Sequence, residues 1–439
     1  MEHDKQLHRI VVVGGGAGGL ELATRLARHL GRRRKAQMLL VDANLTHVWK
    51  PLFHEVAAGT LDSHGDALDY LVQASHHRFR FHYGRMTGLD RGRRQIELEP
   101  VIGEHGETLV PARHVGYDTL VVAVGSISNH FGTPGAAEHC LYLDSAAEAE
   151  RFQQSMVRAY LRAQTQAAPL AEGQLSVVIV GGGATGVELA AELRNAARRA
   201  VSYGLDRIDP EADLKLTLVE AAGRVLPALS SRLSEKTERE LEKLGVRVIT
   251  GRKVVEVTEG GVELAGGEYI PAEFRVWSAG IKAPDWLQDL DGLETNRMNQ
   301  LVVTPSLQTT RDPNIFAFGD CAACPLPHGE GTVPPRAQAA SQQATFLADA
   351  LARHLTGQAE GQFVFRDYGS LISLSEDNAV GRLMGSLFRS LTVEGFMARM
   401  AYALLYKKHL VALHGLRRVA VTTTLQALSR HTRPRLKLH

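Results

Sequence analysis

The chain has 439 residues, enough for about two to four domains, and its 44% hydrophobic and 22% charged residues are typical of a folded protein. A formal net charge of +2 gives no overall field that would attract nucleic acid, so we expect no nucleic-acid partner. Three cysteines, Cys140, Cys321 and Cys324, are too few for a secreted disulfide framework. Because the sequence shows neither a signal-peptide pattern nor an apolar run of about 18 residues, the expected starting compartment is the cytoplasm.

The order strand, glycine turn, helix, strand is predicted twice. In the first copy the run RIVVV at 9–13 leads into GGGAGG at 14–19, and in the second LSVVIV at 175–180 leads into GGGATG at 181–186. The elements that follow the turns are helices over 20–30 and 187–201 and strands over 37–42 and 214–220. Unbroken apolar strands alternating with helices are typical of a parallel sheet covered on both faces. We therefore predict an α/β fold with two Rossmann-like dinucleotide-binding domains.

Both turns have the spacing Gly-x-Gly-x-x-Gly, which binds a dinucleotide when it joins a strand to a helix. The first glycine permits the tight turn, the second lets the backbone approach the pyrophosphate, and the third lets helix and strand pack closely. An acid ends the next strand of each copy, Asp42 and Glu220, in position to bond a ribose hydroxyl, and Glu220 favours NADH over NADPH. The candidate contacts are Gly14, Gly16, Ala17, Gly18 and Gly19 in the first turn and Gly181, Gly183, Thr185 and Gly186 in the second.

Three further segments resemble the FAD domain of two-dinucleotide flavoprotein reductases: GGGAGG itself, TLVVAVGS at 119–126, and NIFAFGD ending at Asp320. The resemblance implies that the first turn binds FAD and the second binds NADH. It adds as contacts Ala123, Gly125, Gly319 and Asp320 for FAD, and Ala279 and Gly280 of RVWSAG for NADH. For Asp320 a helix cap is the alternative. The implied domains are 1–145 and 295–362 for FAD, 146–294 for NADH, and 363–439 as a C-terminal membrane-associating helical region.

Nearly the whole chain resembles the bacterial type II NADH:quinone oxidoreductases. The stretches that carry the resemblance are HVWKPLFHEVAAGTLD (47–62), GGGATGVELAAEL (181–193), VWSAGIKAPD (276–285), LVVTPSLQTTRDPNIFAFGDC (301–321) and VPPRAQAASQQA (333–344). The resemblance implies a respiratory NADH dehydrogenase that passes two electrons from NADH through FAD to ubiquinone or menaquinone without proton pumping. It also implies a homodimer bound peripherally, as a monotopic protein, to the cytoplasmic face of the inner membrane.

The same resemblance assigns roles to single residues. Gln338 and Gln342, which share a face if they lie on a helix, would line the quinone site, although their spacing alone favours an exposed polar face. Pro51 would contact the flavin ring. Glu188 would lie near the nicotinamide, whereas by itself it reads as a first-turn carboxylate favoured by the helix dipole. Candidates for the proton donor to quinone are Lys50, His54 and Glu55, and Lys50 and Gln338 are also candidate FAD contacts.

Cys321 and Cys324 form a Cys-x-x-Cys pair directly after Asp320. Two thiolates at this spacing suit a soft ion such as Cu(I) or a redox couple, but structural thiols are the favoured interpretation. A four-ligand zinc site would need a second pair of donors, which the sequence does not offer. Residues 20–60 contain no cysteine, which argues against a disulfide reductase of the same fold.

The end of the chain is basic, with no acidic residue after Glu394. Apolar residues at helical spacing share one face there, together with a lysine: Phe396, Met400, Leu404, Lys407 and Val411. A second apolar piece covers 419–428. This pattern predicts a region that lies on an anionic membrane surface, and a dimer-packing or core helix is the alternative.

Two other functions stay open at this point. A sulfide:quinone oxidoreductase would use two cysteines beside the flavin, for which Cys140 with Cys321 or Cys324 are candidates, but it would not need the second glycine turn with Glu220. A flavin- and NAD-binding redox sensor would turn over slowly with quinone and signal to a partner protein. Comparing NADH with sulfide as reductants of bound FAD separates the first of these from the NADH dehydrogenase.

Overall fold

The computed structural model separates by contacts into two compact units. Unit 1 comprises Met1–Trp49, Ala67–Ile127 and Ile281–Arg366, and unit 2 comprises Lys50–Asp66, Ser128–Gly280 and Asp367–His439. The structure describes residues 7–31, 36–63, 65, 67–103, 105–327, 331–359, 361–373, 379–383, 391–394, 404, 407, 409–429 and 436. The four-part division predicted from sequence stays a prediction, although 50–66 and 128–145 group with unit 2 and 281–294 with unit 1.

Unit 1 is built on a six-stranded sheet in the order β22-β23-β11-β1-β2-β5. Its elements are β1 His8–Val13, α1 Ala17–Leu26, β2 Ala36–Asp42, β3 Thr46–His47, β4 Leu68–Asp69, α3 Tyr70–His77, β5 Arg80–Tyr83, β6 Met86–Asp90, β7 Gln95–Leu98, β8 Val101–Ile102, β9 Thr108–Val110, β10 Arg113–Gly116, β11 Thr119–Val122, β20 Ile281–Lys282, β21 Leu301–Val302, β22 Gln308–Thr309, β23 Asp312–Ala317, β24 Ala322–Ala323 and α8 Ala337–His354, and β12 Ile127–Ser128 spans the boundary. β1 pairs in parallel with β2 and β11. Helices α1 and α8 pack together.

Unit 2 repeats this plan with a four-stranded parallel sheet in the order β15-β14-β13-β19. Its elements are α2 Phe53–Ala58, α4 Ala136–His139, α5 Ala146–Thr165, β13 Val177–Val180, α6 Ala184–Ser202, β14 Leu216–Glu220, α7 Ser231–Lys243, β15 Val246–Thr250, β16 Val254–Thr258, β17 Gly261–Leu264, β18 Tyr269–Pro271, β19 Phe274–Trp277, β25 Gly369–Ser373, β26 Ala379–Leu383, β27 Leu391–Glu394 and α9 Leu416–Ser429. Helix α2 belongs here because it packs on α5 and α6, and its side chains Phe53, Val56 and Ala57 are buried.

The predicted strands and helices of both copies are observed, with ends that differ by a few residues. The first helix ends earlier than predicted, at Leu26, and continues as a π turn over Ala27–Gly31. Of the predicted amphipathic face, Phe396 and Met400 lie outside the described residues, and the second apolar piece falls within α9. No helix in the described part of the chain combines the length and apolarity needed to cross a membrane.

Substitutions in helix α5 test the contribution of its buried face to the stability of unit 2. Phe152 is fully buried and packs edge-on against Phe274 of β19 at 5.9 Å between ring centroids. We expect Phe152→Ala to lower the free energy of unfolding by about 3–5 kcal/mol, because it leaves a cavity in the core. Leu161→Ala, on the exposed side of the same helix, should change it by less than about 0.5 kcal/mol. Chemical denaturation of both variants checks this, and equal losses would contradict the packing.

Candidate functional site: two dinucleotide loops

The first glycine turn has the geometry that pyrophosphate binding requires. Gly14 adopts φ +99°, and a Cβ there would lie 2.3 Å from the Ala123 carbonyl oxygen. A Cβ on Gly19 would lie 1.8 Å from the Gly14 oxygen, so helix and strand approach as closely as their backbones allow. Beside Gly16, by contrast, no atom lies within 4 Å. Gly16 caps α1 without a side-chain hydrogen bond, which leaves the first amides of the helix to bind an anion.

The second turn has the same geometry in unit 2. Gly181 adopts φ +111°, and its Cβ would lie 2.6 Å from the Ala279 nitrogen. A Cβ on Gly186 would lie 2.0 Å from the Gly181 oxygen, whereas Gly183 again has nothing within 4 Å. Ser278, next to Ala279, donates its hydroxyl to the Gly181 oxygen at 3.1 Å. The loop after β19 therefore fixes the turn from the side, as the loop after β11 does in unit 1.

The two predicted ribose-binding acids are bound to their own loops in the same way. Asp42 accepts from the Gly15 nitrogen at 2.6 Å and from the Asn44 nitrogen at 2.7 Å. Glu220 accepts from the Gly182 nitrogen at 2.6 Å and from the Ala222 nitrogen at 2.7 Å. Asn44 Nδ2 also donates to Asp42 Oδ1 at 3.0 Å, so Asp42 Oδ2 and both oxygens of Glu220 keep a second lone pair for a ribose hydroxyl. Burial raises the pKa of Asp42, while the Gly15 and Asn44 amides act against that shift.

Asp320 and Gly319 belong to a network of hydrogen bonds in unit 1. Asp320 Oδ2 accepts from the Ser126 hydroxyl at 2.8 Å, and its carbonyl accepts from Gln300 Nε2 at 2.9 Å. Gly319, at φ +74°, donates its amide to Gln343 Oε1 at 2.9 Å. Gln343 is 1% exposed, and sequence reasoning missed it. A signal existed: it lies four residues from Ala339 and from Leu347, so it is a polar residue within the apolar stripe of α8.

The two glutamines assigned to quinone differ in their surroundings. Gln342 donates to the Arg366 carbonyl at 2.8 Å and accepts from the Arg366 nitrogen at 3.0 Å, so both ends of its amide bind the backbone. Gln338 lies one turn earlier on α8 and is half-buried. The quinone role of each stays a prediction.

Lys50 and Pro51 form a 3-10 turn with Leu52 in unit 2. Lys50 Nζ lies 3.7 Å from Asp144 Oδ1, and Asp144 also accepts from the backbone and hydroxyl of Ser128 at 2.8 and 3.0 Å. Lys50 is therefore held by a carboxylate at the start of α5 rather than being an unconstrained proton donor. The flavin contact predicted for Pro51 stays a prediction.

A cluster around the buried side chain of His54 joins α2 to α6. His54 is 3% exposed, and its imidazole lies 3.7 Å from Glu188 and 3.9 Å from Glu55. Burial lowers the pKa of His54 to about 4, against the opposing effect of a hydrogen bond to the Pro51 backbone. His54 is thus neutral at pH 7, and its approach to Glu188 is a contact of a neutral imidazole rather than an ion pair. The family resemblance predicts Glu188 near the nicotinamide, but nothing in the sequence indicated its contact with His54.

Gly280, the other predicted NADH contact, lies in a tight turn. It adopts φ +65°, and a Cβ there would lie 2.3 Å from the ring of Phe131. The neighbouring Trp277 indole donates to the carbonyls of Asn129 and Ala279 at 3.0 and 2.9 Å. The positive φ favours glycine at this position, and the exposed Phe131 ring would have to move to admit a side chain.

The cysteines do not have the character of a reactive pair. All three are free, and Cys321 and Cys324 are fully buried. Burial raises the pKa of Cys321 to about 12 and that of Cys324 to about 11, so both are protonated thiols at neutral pH. A protonated thiol is a poor nucleophile and a poor metal ligand. Within the described residues no group of three His, Cys, Asp or Glu side chains is arranged to hold a metal.

Two dinucleotide loops with this geometry define a two-dinucleotide oxidoreductase, and residues 8–344 match the model of the pyridine nucleotide-disulphide oxidoreductase family. The chain is also 43% identical to the type II NADH:quinone oxidoreductase of Haemophilus influenzae, over 99% of this chain and 100% of that protein. It belongs to the type II NADH:quinone oxidoreductase family, as the resemblance predicted.

Solved structures show the same fold. NDH2 from Plasmodium falciparum, in complex with NADH, has a TM-score of 0.79 at 17% identity, covering 98% of this chain and all of that one. The sulfide:quinone oxidoreductase of Aquifex aeolicus has a TM-score of 0.72 at 16% identity, covering 97% of this chain and 96% of that one. Both likenesses concern the fold alone, and the predicted α/β class is confirmed.

The two glycines of the first loop separate folding from cofactor binding. Gly19→Ala should lower the free energy of unfolding by about 1–3 kcal/mol or more, because its methyl meets the Gly14 carbonyl. Gly16→Ala should leave that free energy nearly unchanged, yet lower the flavin content of purified protein, because its methyl stands where a pyrophosphate approaches. Thermal denaturation and absorbance of bound flavin check this. Normal flavin content in Gly16→Ala would place the pyrophosphate elsewhere.

The buried His54 predicts a dependence of stability on pH. Its pKa is about 4 in the folded chain and about 6.5 when exposed, so the unfolded chain binds one more proton between these values. Its contribution of roughly 3 kcal/mol is complete above pH 6.5 and is lost as pH falls towards 4. We expect His54→Gln to be less sensitive than wild type over that range in urea unfolding, while the exposed His105→Gln behaves as wild type. Equal pH slopes for wild type and His54→Gln would show that His54 titrates normally.

Proposed function

We propose that this chain is a membrane-associated NADH:quinone oxidoreductase that uses FAD and does not pump protons. The observation that carries the proposal is the pair of loops with matching backbone geometry, one in each unit, in a chain with 43% identity over its whole length to a type II NADH:quinone oxidoreductase. Two dinucleotides bound to one chain suit hydride transfer between them. Quinone, as ubiquinone or menaquinone, is the acceptor.

The residues of unit 1 fit FAD. The open space beside Gly16 and the uncapped amides of α1 suit a pyrophosphate, and Asp42 suits the adenosine ribose. Asp320, oriented by Ser126 and Gln300, presents a carboxylate to the polyol or phosphate region. When bound, FAD supplies a carrier that accepts two electrons as hydride from NADH and delivers them to a quinone.

The residues of unit 2 fit NADH. Gly183 and the amides of α6 suit the pyrophosphate, and Glu220 suits a 2′-hydroxyl and repels a 2′-phosphate. Glu188 lies one turn into α6 and is 7% exposed, with neutral His54 beside it. The family resemblance implies that this acid lies near the nicotinamide, and we assign it a contact with that end of NADH.

Quinone is a lipid-phase substrate, so the proposal includes binding to an anionic membrane surface. Arg417 and Arg418 at the start of α9 are exposed, and the last Asp or Glu of the chain is Glu394. These charges support peripheral attachment through the C-terminal region. We also propose a homodimer at the cytoplasmic face of the inner membrane, as the family resemblance implies. A sulfide:quinone oxidoreductase is disfavoured, because the thiols are protonated and the second loop with Glu220 is intact.

Stopped-flow kinetics in two halves test the proposal. NADH should reduce the bound flavin, and a short-chain quinone should reoxidise it. Gln338→Leu should slow reoxidation by about tenfold, the effect of losing one hydrogen bond to a polar substrate, without slowing reduction. The exposed Gln358→Leu, just beyond α8, is the matched control and should leave both halves unchanged. If Gln338→Leu slows reduction by NADH instead, its assignment to quinone is wrong. If sulfide rather than NADH reduces the flavin, the proposed function is wrong.

A further inference from the structure

One face of the unit 1 sheet carries a row of polar and basic side chains near its amino-terminal edge. The register pairs Arg9 with Gln37 and Leu39 with Arg80. Residues that pair, or that lie two apart on one strand, share a face, so Arg9, Gln37, Arg80 and His82 all project from the same side. A sheet covered by helices normally has apolar side chains on both faces. This row departs from that pattern and calls for a partner other than a hydrophobic helix.

The row lines a cavity of about 190 Å³. Arg9, Arg80 and His82 contribute from β1 and β5, and His114 contributes from β10. None of the residues that line the cavity carries a carboxylate. Its volume is below the roughly 300 Å³ of common small-molecule pockets, so it suits one small polyatomic group rather than a whole dinucleotide.

The hydrogen-bond donors around the cavity are incompletely used. Within the described part of the chain, His82 Nδ1 is buried and has no hydrogen-bond partner, and a histidine ring nitrogen that carries its proton can donate. Arg80 donates through Nε and Nη1 to the amide oxygen of Gln37 at 3.0 Å, with that amide turned towards it, and this uses two of its five N–H donors. Burial, and then the charges of Arg113, Arg80 and Arg9, lower the pKa of His82, which reports a positive potential at this place. Buried polar groups without partners are rare, and an anion would satisfy both the donors and the charge.

The cavity is separate from the dinucleotide loop of unit 1. Gly14 directly follows the carboxyl end of β1, whereas Arg9 is the second residue of that strand. Five residues of extended chain at about 3.3 Å each put roughly 16 Å between them. Parallel α/β sheets bind their cofactors at the carboxyl edge, so a ligand at this end would occupy a second, independent site.

We propose that this cavity is a second anion site of unit 1, which binds a phosphate group through Arg80, His82 and His114. Guanidinium groups form paired hydrogen bonds with phosphate oxygens, and an anion best offsets the two guanidinium groups of Arg9 and Arg80, which face no carboxylate in the lining of this cavity. The phosphate comes either from inorganic phosphate in solution or from the headgroup of a phospholipid. The site does not depend on the NADH:quinone activity.

Calorimetric titration of the flavin-loaded protein with inorganic phosphate tests the site. Saturating NAD⁺ fills the second dinucleotide loop, and sodium chloride keeps the ionic strength constant. We expect Arg80→Gln to weaken phosphate binding by at least about tenfold, the effect of losing one charge-assisted hydrogen bond. The matched control, Arg297→Gln, removes an exposed arginine elsewhere in unit 1 and should bind as wild type. His114→Ala, at an exposed position, should show a smaller loss of phosphate affinity. This variant replaces Arg80→Gln as the test if Arg80→Gln does not fold.

Vesicles separate the two sources of phosphate. Co-sedimentation compares phosphatidylcholine vesicles with vesicles that also contain phosphatidic acid. If inorganic phosphate binds in solution and this binding requires Arg80, the result supports an anion site whose ligand is soluble phosphate. If the protein binds only to phosphatidic acid vesicles, and this binding also requires Arg80 or His114, the result supports an anion site whose ligand is a lipid headgroup. If neither ligand binds, or if binding is the same in wild type, Arg80→Gln and His114→Ala, the proposal is overturned.

Discussion

The close approach of the third glycine of each loop to the carbonyl of the first is the constraint on which both sites depend. Gly19 meets the Gly14 oxygen, and Gly186 meets the Gly181 oxygen, at distances that admit no side chain. This contact fixes the helix against the strand, and it therefore aims the uncapped helix N-terminus at the space beside Gly16 or Gly183. The acids Asp42 and Glu220 then bind the same loops from the next strand. The two units therefore share one backbone geometry, which suits a pyrophosphate in each.

These loops could be predicted from sequence because the interactions that build them join residues close along the chain or on adjacent strands. The strands, the glycine roles and both acids follow from local patterns. The surroundings of Gln342 and His54 do not. Gln342 is held by Arg366, and His54 is buried against Glu188, which lies far along the chain, so neither contact has a local signal. The raised pKa values of the cysteines also come from tertiary burial. The quinone assignment came from family resemblance, since two glutamines four apart, taken alone, favour an exposed helix face.

The sheet of unit 1 has different chemistry at its two ends. Its carboxyl edge has the glycine loop and the acids Asp42 and Asp320, which suit a ligand rich in hydroxyl groups with a pyrophosphate at a helix N-terminus. Its amino edge has Arg9, Arg80 and His82 on one face, without a carboxylate in the cavity they line. The helix dipole recognises the anion at the first end, and side-chain cations do so at the second. The two ends can therefore be altered independently, although they share strands.

We propose that hydride passes between a flavin and a nicotinamide dinucleotide that this one chain binds. Anaerobic titration of the purified yellow protein with NADH, followed by absorbance, tests it most directly. The account predicts stoichiometric bleaching of the flavin by NADH and much weaker bleaching by NADPH, because Glu220 repels a 2′-phosphate. A colourless protein that takes up no FAD, or a flavin that stays oxidised with excess NADH, would contradict it.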